Sequence, residues 1–400
     1  MTDLKLKPGS VFGGMLLIAG SCIGAGMLGL PVLLGLTGFF PSLILLFVSW
    51  IFMTYTGLLL IEVNGWFYER VNIISMAEKA FGSIGRLISW TLYLFLFYSL
   101  LVAYIAGSGK LFSSFLPFAI SQNISGIIFV IFFGILVYFG TKVVDFSNRL
   151  LMAGLVLTYL IMIFLGISKI NPSLFLHVDM KYFLLPLAVL ITSFGFHNMI
   201  PSVTAYMKGD LKRTKIAILG GSFTALVIYL FWIVLIVGIV PVGGKFGLLQ
   251  AYNLGAEATI SLRNILQSKA VVTFAAWFSF FAIVTSFLAQ SLGLMHFIAD
   301  GLKVKPNYKN NWWLALLAIV PPLIFALSYP NIFFKALGFA GAYCAVIIFC
   351  IFPALMVWIG RYINKETSSY HVKGGKISLI LVILFSIVII VNQLFTSFSK

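Results

Sequence analysis

Long apolar runs separated by short polar segments make up most of the chain, and each run is near the length of about 20 residues that a helix needs to cross a bilayer. Eleven such runs can be counted. They cover residues 11–34, 41–63, 87–111, 124–140, 150–167, 183–207, 216–239, 271–297, 312–327, 332–358 and 377–395. The pattern predicts an all-α polytopic membrane protein with about eleven transmembrane helices.

The first run contains a concentration of glycine near its middle, where the sequence GSCIGAGMLGLP occupies residues 20–31. Glycine weakens a helix, and proline removes a backbone donor. Free backbone groups at membrane depth are tolerated only where they are buried in protein or line a cavity. The run therefore predicts a broken helix that lines a binding site, as in transporters. Close helix packing through Gly20 and Gly24 is the alternative interpretation.

A second break of the same kind is predicted in the sixth run, where TSFGFHNMIP occupies residues 192–201. Runs one and six correspond if the first ten helices form two sets of five, and an odd number per set inverts the second set in the membrane. This predicts one membrane transport domain with a first repeat over 1–170, an inverted second repeat over 171–360, and a linker and eleventh helix over 361–400.

Composition and charge agree with a membrane protein and not with a nucleic-acid-binding one. Hydrophobic residues form 61% of the chain and charged residues 9%. The net charge of +16 arises from basic residues scattered through the loops, and their distribution places the amino terminus in the cytoplasm and the carboxyl terminus outside. The three cysteines lie in apolar runs, which argues against a disulfide framework. We expect an integral protein of a bacterial inner membrane, surrounded by lipid, with no nucleic-acid partner, obligatory protein partner or cofactor.

Six short stretches, in order and at the right spacing, give the chain a specific resemblance. They are IGAGML at 23–28, LIEV at 60–63, TSFGFH at 192–197, TSFL at 285–288, ALGFAG at 336–341 and VKGG at 372–375. With them the chain resembles the hydroxy and aromatic amino acid permeases, and most of all their tyrosine-specific members. The resemblance implies the LeuT-like five-plus-five inverted-repeat fold of the amino acid, polyamine and organocation superfamily. It also implies ion-driven uptake of an aromatic amino acid, most often with protons.

An amino acid zwitterion suits the two breaks. Exposed N–H groups and the positive end of a half-helix favour a carboxylate, and unpaired carbonyls favour an ammonium group. The predicted carboxylate side consists of Ser21, Gly24, Ala25 and Gly26. Phe194 and Gly195 are predicted to contribute carbonyls.

Residues that could hold an aromatic side chain are harder to select, because the chain contains 40 phenylalanines. Phe194 and Phe196 lie beside the second break and could stack on a ring. Tyr98, Tyr104 and Phe339 would face them if helices three and ten line the site. Ordinary packing is the alternative for each, so tyrosine as the substrate follows from the resemblance.

The coupling ion is predicted from the titratable groups. All ten acidic residues fall in loops or near the ends of runs, and only Glu62 lies inside a run. His197 is the titratable group nearest the centre of a run, so it is the first candidate for carrying a proton, with Glu62 as the second. A neutral His197 that hydrogen-bonds the substrate or a helix is the alternative.

Sodium is the alternative coupling ion. Related folds hold sodium between the first break and helix eight, and the matching groups here would be the carbonyls of Gly20, Ile23 and Ala282 with the hydroxyls of Thr285 and Ser286. Hydroxyls in membrane helices also commonly bond to their own backbone.

Two further segments, 71–81 and 256–266, have the apolar spacing of short amphipathic helices, and the second could form an outer lid. Apart from a proton or sodium symporter of an amino acid, a non-transporting amino acid sensor or a channel would also use broken helices. An enzyme is not expected, because no nucleophile–base pair or metal-ligand cluster lies within the runs.

Overall fold

The computed structural model describes residues 9–67, 71–115, 121–266, 268–304 and 310–398, and most of them are helical. The α-helices are α1 Val11–Cys22, α2 Ala25–Thr37, α3 Phe39–Asn64, α4 Ile73–Phe115, α5 Gln122–Tyr138, α6 Thr141–Ile167, α7 Leu187–Ser193, α8 Ile200–Tyr206, α9 Leu211–Ile239, α10 Leu248–Asn253, α11 Ala258–Leu266, α12 Lys269–Gly301, α13 Asn311–Ser328, α14 Phe333–Phe339, α15 Phe352–Ile359 and α16 Gly375–Phe398. Short 3₁₀-helices occupy Pro172–Leu176, Met180–Tyr182 and His197–Met199, and π-helical turns occupy Ala340–Ile351 and Gly360–Asn364.

Each of the eleven predicted apolar runs is helical. Within the described ranges, nine helical segments are long and apolar enough to cross a membrane, one of them the interrupted segment Leu187–Tyr206, and the bent pair α1–α2 makes a tenth. The fourth run forms α5, a shorter apolar helix of 17 residues. The all-α membrane fold is therefore confirmed, while eleven crossings, the inverted repeat and its boundaries stay predictions.

The break in the first run occurs where the glycine pattern predicts it. Helix α1 ends at Cys22 and α2 begins at Ala25, with an angle of 60° between them. Ile23 and Gly24 join the two halves in extended conformations. Pro31 lies inside α2, which continues to Thr37.

The sixth run is also interrupted as predicted. Helix α7 ends at Ser193, the turn His197–Met199 follows, and α8 begins at Ile200 with Pro201 in its first turn. Proline is compatible with that position because the first turn of a helix does not use its N–H groups. The interruption leaves two half-helices of seven residues each.

Both predicted amphipathic helices exist. The first is the beginning of α4, which turns at Gly82, where a φ of +68° allows glycine without steric cost. The second is α11, which packs against α12 and α2.

Helices α9 and α12 hold the broken segments in the core. Helix α9 packs along α1 and also contacts α2, and α12 lies against α6, α4 and α2. On another side, α7 packs closely against the π-helical turns Ala340–Ile351. A Cβ atom at Gly341 would collide with the backbone oxygen of Ala188, so glycine permits this approach.

Candidate functional site

The first turn of α2 presents backbone donors that the helix does not use. The Gly24 and Gly26 N–H groups donate no hydrogen bond to any residue in the described part of the chain, whereas Met27 N–H closes the turn on the Gly24 carbonyl at 3.1 Å. These donors lie at the positive end of a 13-residue helix. Such an arrangement favours an anionic group of a ligand.

Helix α12 contacts the break through Ser286. The Ala25 N–H donates to the Ser286 hydroxyl at 2.8 Å. A Cβ atom on Gly24 would lie 2.5 Å from the same oxygen, so a side chain at Gly24 would displace Ser286. The predicted carboxylate side and the predicted sodium side therefore meet at this serine.

The ends of the two broken helices meet at Tyr229 of α9. Its buried hydroxyl lies 2.6 Å from the carbonyl oxygen of Cys22 and 2.8 Å from that of Ser193. A single phenolic proton is shared between these two acceptors. The Gly26 Cβ position is 3.3 Å from the Ser193 hydroxyl, so the start of α2 and the end of α7 lie side by side. Helix α7 thus directs its negative end towards the positive end of α2.

A second α9 residue binds a carbonyl that Pro31 leaves free. Because proline lacks an N–H group, the carbonyl four residues earlier, on Met27, has no helical donor. The buried indole of Trp232 donates to it at 3.1 Å. Sequence reasoning missed both Tyr229 and Trp232. The only local signal was an aromatic residue with a polar group inside an apolar run.

One of the predicted aromatic residues, Phe194, lies at this junction. Phe194 is buried, and its ring lies edge-on to Tyr229 with centroids 5.1 Å apart. Tyr104 is buried on α4. The Phe194 carbonyl accepts the Phe196 N–H at 3.0 Å, and the Gly195 N–H donates to Thr192.

Ser21 is directed elsewhere. Its side chain is exposed, and its hydroxyl donates to the Ile18 carbonyl one turn earlier at 2.8 Å. The structure therefore brings Gly24, Ala25, Gly26 and Phe194 together but not the Ser21 side chain.

His197 and Phe196 form a separate buried stack. The His197 ring lies between those of Phe196 and Phe349, with centroids 4.9 and 5.0 Å away. Its Nε2 is 2.9 Å from the Thr56 hydroxyl, and its Nδ1 is buried without a partner among the described residues. An imidazolium ion enclosed in this way loses its hydration and gains one hydroxyl contact, so these contacts favour the neutral alternative.

Tyr98 and Phe339 line a different space. A cavity of about 930 Å³ lies among α4, α7, α13, α14 and α16, with both residues in its wall. The Tyr98 hydroxyl donates to the Leu317 carbonyl at 2.9 Å, which Pro321 leaves without a helical donor. The cavity also reaches Val189, one turn before the end of α7.

The predicted sodium ligands are present in part. In the described residues no N–H or O–H group donates to the Gly20 or Ile23 carbonyl, which leaves both available. Ala282 and Thr285 are buried on α12. The Thr285 hydroxyl, however, donates to the Phe281 carbonyl at 2.7 Å, the local bond that competes with ion binding.

Glu62 is part of an ion pair. Its buried carboxylate binds the Arg361 guanidinium in a bidentate contact and also accepts the Val372 N–H at 2.7 Å. The Nδ1 atom of His371 lies 3.3 Å from it. The structure also buries Glu257, which the sequence places in a loop. Glu62 remains the acidic residue that lies inside a predicted apolar run, while Glu257 is buried although it lies between two runs.

Comparison with known proteins identifies the family. The tryptophan/tyrosine permease family model matches residues 7–393. Similar relatives include tyrosine-specific transport systems 1 and 2 of Haemophilus influenzae. System 1 is 33% identical over 94% of each chain, and system 2 is 34% identical over 94% of each chain. A tryptophan-specific transport protein of Pseudomonas aeruginosa is 29% identical over 94% of this chain and 93% of its own.

The fold has a solved counterpart. The crystal structure of MhsT in complex with L-phenylalanine, a LeuT-fold protein, superposes with a TM-score of 0.66 at 13% identity, covering 97% of this chain and 99% of that one. The LeuT-like fold class and the family resemblance are thereby confirmed, and the relatives are transport proteins, not enzymes. The chain is an integral membrane protein that belongs to the tryptophan/tyrosine permease family.

Proposed function

We propose that this aromatic amino acid permease imports L-tyrosine by alternating access, driven by an ion gradient. The observation that carries the proposal is the meeting of two oppositely polarised helix ends. Gly24 and Gly26 offer free N–H groups at the start of α2, and α7 ends beside them at Ser193. A zwitterionic amino acid presents the complementary pair of charges.

An aromatic substrate is supported by the residues around this junction and by the relatives. Phe194 and Tyr229 supply aromatic rings close to the helix ends. The relatives with the higher identities are named tyrosine-specific, whereas tryptophan-specific relatives are less similar. We therefore place tyrosine ahead of tryptophan and phenylalanine.

The cavity beside Tyr98 and Phe339 is our candidate for the substrate's access route. It has room for an aromatic amino acid, and its wall includes Val189 near the end of α7. The substrate would first contact the aromatic wall and then the helix ends. In this role Tyr98 and Phe339 act during entry and not in the final site.

For the coupling ion we place the proton ahead of sodium. His197 is the carrier that the sequence suggests, but its enclosed stack favours a neutral ring. Sodium is the second candidate, because the Gly20 and Ile23 carbonyls lack donors and Ser286 lies at the same break. We place the protein in a bacterial inner membrane with its amino terminus in the cytoplasm, as the basic residues of the loops indicate.

Uptake of labelled tyrosine into proteoliposomes tests these points. A pH gradient and a sodium gradient are imposed separately on the same preparation, and counterflow without any gradient measures exchange alone. We expect counterflow together with accumulation driven by the pH gradient. Binding of tyrosine without counterflow would indicate a sensor. An uptake rate that does not saturate with increasing tyrosine concentration would indicate a channel.

A further inference from the structure

The carboxyl group of Glu257 is buried in a compact cluster of oxygens. Glu257 is 2% exposed and precedes α11. Its Oε1 atom accepts the Thr259 hydroxyl at 2.5 Å and the Ser279 hydroxyl at 3.1 Å. Its Oε2 atom accepts the Thr259 N–H at 2.7 Å. The two hydroxyls are themselves 2.5 Å apart, so all these groups are in mutual contact.

This cluster joins two different parts of the fold. Thr259 lies in the first turn of α11, whereas Ser279 belongs to the long helix α12 and is buried there. A glutamate that merely caps α11 would need only the Thr259 N–H. Capping does not require the contact with Ser279. This contact places the ionisable carboxyl of Glu257 against the membrane-spanning helix α12.

The cluster can be satisfied with and without a proton on the carboxyl group. When the carboxyl is ionised, both hydroxyls can donate to Oε1. When it is protonated, its own O–H can donate to one hydroxyl, and the hydroxyls can still bond each other. Neither state leaves a buried polar atom of the cluster without a partner. The three oxygens make three contacts of 2.5 to 3.1 Å, and the two hydroxyl protons can fill only two of them, so one further proton on the carboxyl group fits the cluster.

Helix α12 connects this cluster with the substrate site. Ser279 and Ser286 are seven residues apart, which is two helical turns, so they lie on the same face about 10 Å apart along the axis. Ser286 accepts the Ala25 N–H at the break. A shift of α12 at Ser279 would therefore move the acceptor that holds the first turn of α2.

We propose that Glu257 is a proton-binding site through which protonation is coupled to the break between α1 and α2. The inference rests on the proposed function, since coupling has meaning only if the protein transports. Proton binding would release the Ser279 hydroxyl from the carboxylate, and the resulting change in the α11–α12 contact would reach Ser286. Arg263 of α11 is the charged residue that acts on the carboxyl group.

The electrostatics of the site agree with this role. Burial raises the pKa of the Glu257 carboxyl above its ordinary value, while the hydrogen bonds from Thr259 and Ser279 and the charge of Arg263 oppose the shift. A raised pKa brings a carboxyl closer to the pH range in which a transporter works.

Glu257→Gln provides the first test, because an amide keeps the shape of the protonated acid but cannot titrate. In proteoliposomes we expect the variant to retain tyrosine counterflow and to lose accumulation driven by a pH gradient. We also expect tyrosine binding by the parent protein to weaken about tenfold as the pH rises through the titration of Glu257, and binding by the variant to be independent of pH. Glu78→Gln, which removes an exposed carboxylate, is the matched control and should behave like the parent.

The outcomes separate this inference from the proposed function. A parent protein that shows no tyrosine counterflow would contradict the proposed function itself. Counterflow by the parent together with full pH-driven accumulation by Glu257→Gln would overturn only the assignment of Glu257.

A second variant decides the question if Glu257→Gln does not fold. Ser279→Ala removes a donor that stabilises the ionised carboxylate, so the pH midpoint of tyrosine binding should move to higher pH. Ser291→Ala removes another buried hydroxyl from α12 and should leave the midpoint unchanged. An unchanged midpoint in Ser279→Ala would overturn the inference.

Discussion

The indole N–H of Trp232 donates a hydrogen bond to the Met27 carbonyl, the one that Pro31 leaves without a helical donor. The phenol of Tyr98 does the same for Leu317, four residues before Pro321. In both cases an aromatic side chain of a neighbouring helix replaces the N–H that proline lacks. Pro31 and Pro321 can thus remain inside their helices without leaving these two carbonyls unsatisfied.

Trp232→Phe should destabilise the protein by about 1–3 kcal/mol, because it leaves the buried Met27 carbonyl without a donor. In a Pro31→Ala background the N–H of residue 31 can donate to the Met27 carbonyl. Trp232→Phe should therefore lower the free energy of unfolding by less in that background. Thermal unfolding of the four proteins measures this difference. Equal costs in the two backgrounds would show that the indole does not compensate for the proline.

Gly26→Leu should abolish tyrosine binding while the protein still inserts and folds. Its side chain would occupy the space beside the Ser193 hydroxyl, where the ends of α2 and α7 meet. Gly134→Leu introduces the same side chain into α5, away from the break, and serves as the control. Normal tyrosine affinity in folded Gly26→Leu protein, measured by ligand-induced stabilisation, would remove the carboxylate site from this position.

The order of ligand affinities should be L-tyrosine first, with L-phenylalanine and L-tryptophan as weaker competitors. Aromatic residues at the junction are suited to a planar ring. A stabilisation screen over the amino acids measures the order directly. Stabilisation by leucine or serine, and by no aromatic amino acid, would contradict an aromatic site.

His197→Gln should retain accumulation driven by a pH gradient and lose thermal stability. Glutamine can still hydrogen-bond Thr56 but cannot stack between Phe196 and Phe349. Loss of accumulation with counterflow intact would instead support His197 as the proton carrier. Accumulation and counterflow measured side by side distinguish the two roles.

Arg361→Met should destabilise the protein by about 3–5 kcal/mol, because it leaves the fully buried Glu62 carboxylate without its counter-ion. The double variant Glu62→Gln with Arg361→Met should recover much of that loss. A double-mutant cycle of unfolding free energies provides the measurement. Additive effects of the two substitutions would show that the pair does not interact.

Both breaks were predictable from sequence because their causes are local. Glycine and proline act on their own backbone, so the end of α1 at Cys22 and the end of α7 at Ser193 follow from composition within a few residues. The helical runs are equally local, since their length reflects the thickness of the bilayer.

The residues that complete the site could not be predicted in this way. Tyr229 reaches Cys22 across 207 positions of sequence, and Ser286 reaches Ala25 across 261. Such pairs depend on which helices become neighbours, and no local pattern encodes that. Glu257 illustrates the same limit, because a charge in a polar loop suggests hydration until the packing of α11 on α12 is known.

The glycine contact at Gly341 has a mechanical consequence. With no side chain between them, the backbones of α7 and the turns Ala340–Ile351 leave little space for one to slide past the other. The Thr192 hydroxyl is within hydrogen-bond distance of both the Ala188 and the Leu337 carbonyls, so it links α7 to α14 beside this contact. A tilt of the α7 half-helix would therefore move α14 with it. The aromatic wall of the cavity and the end of the broken helix would then move together as one rigid unit.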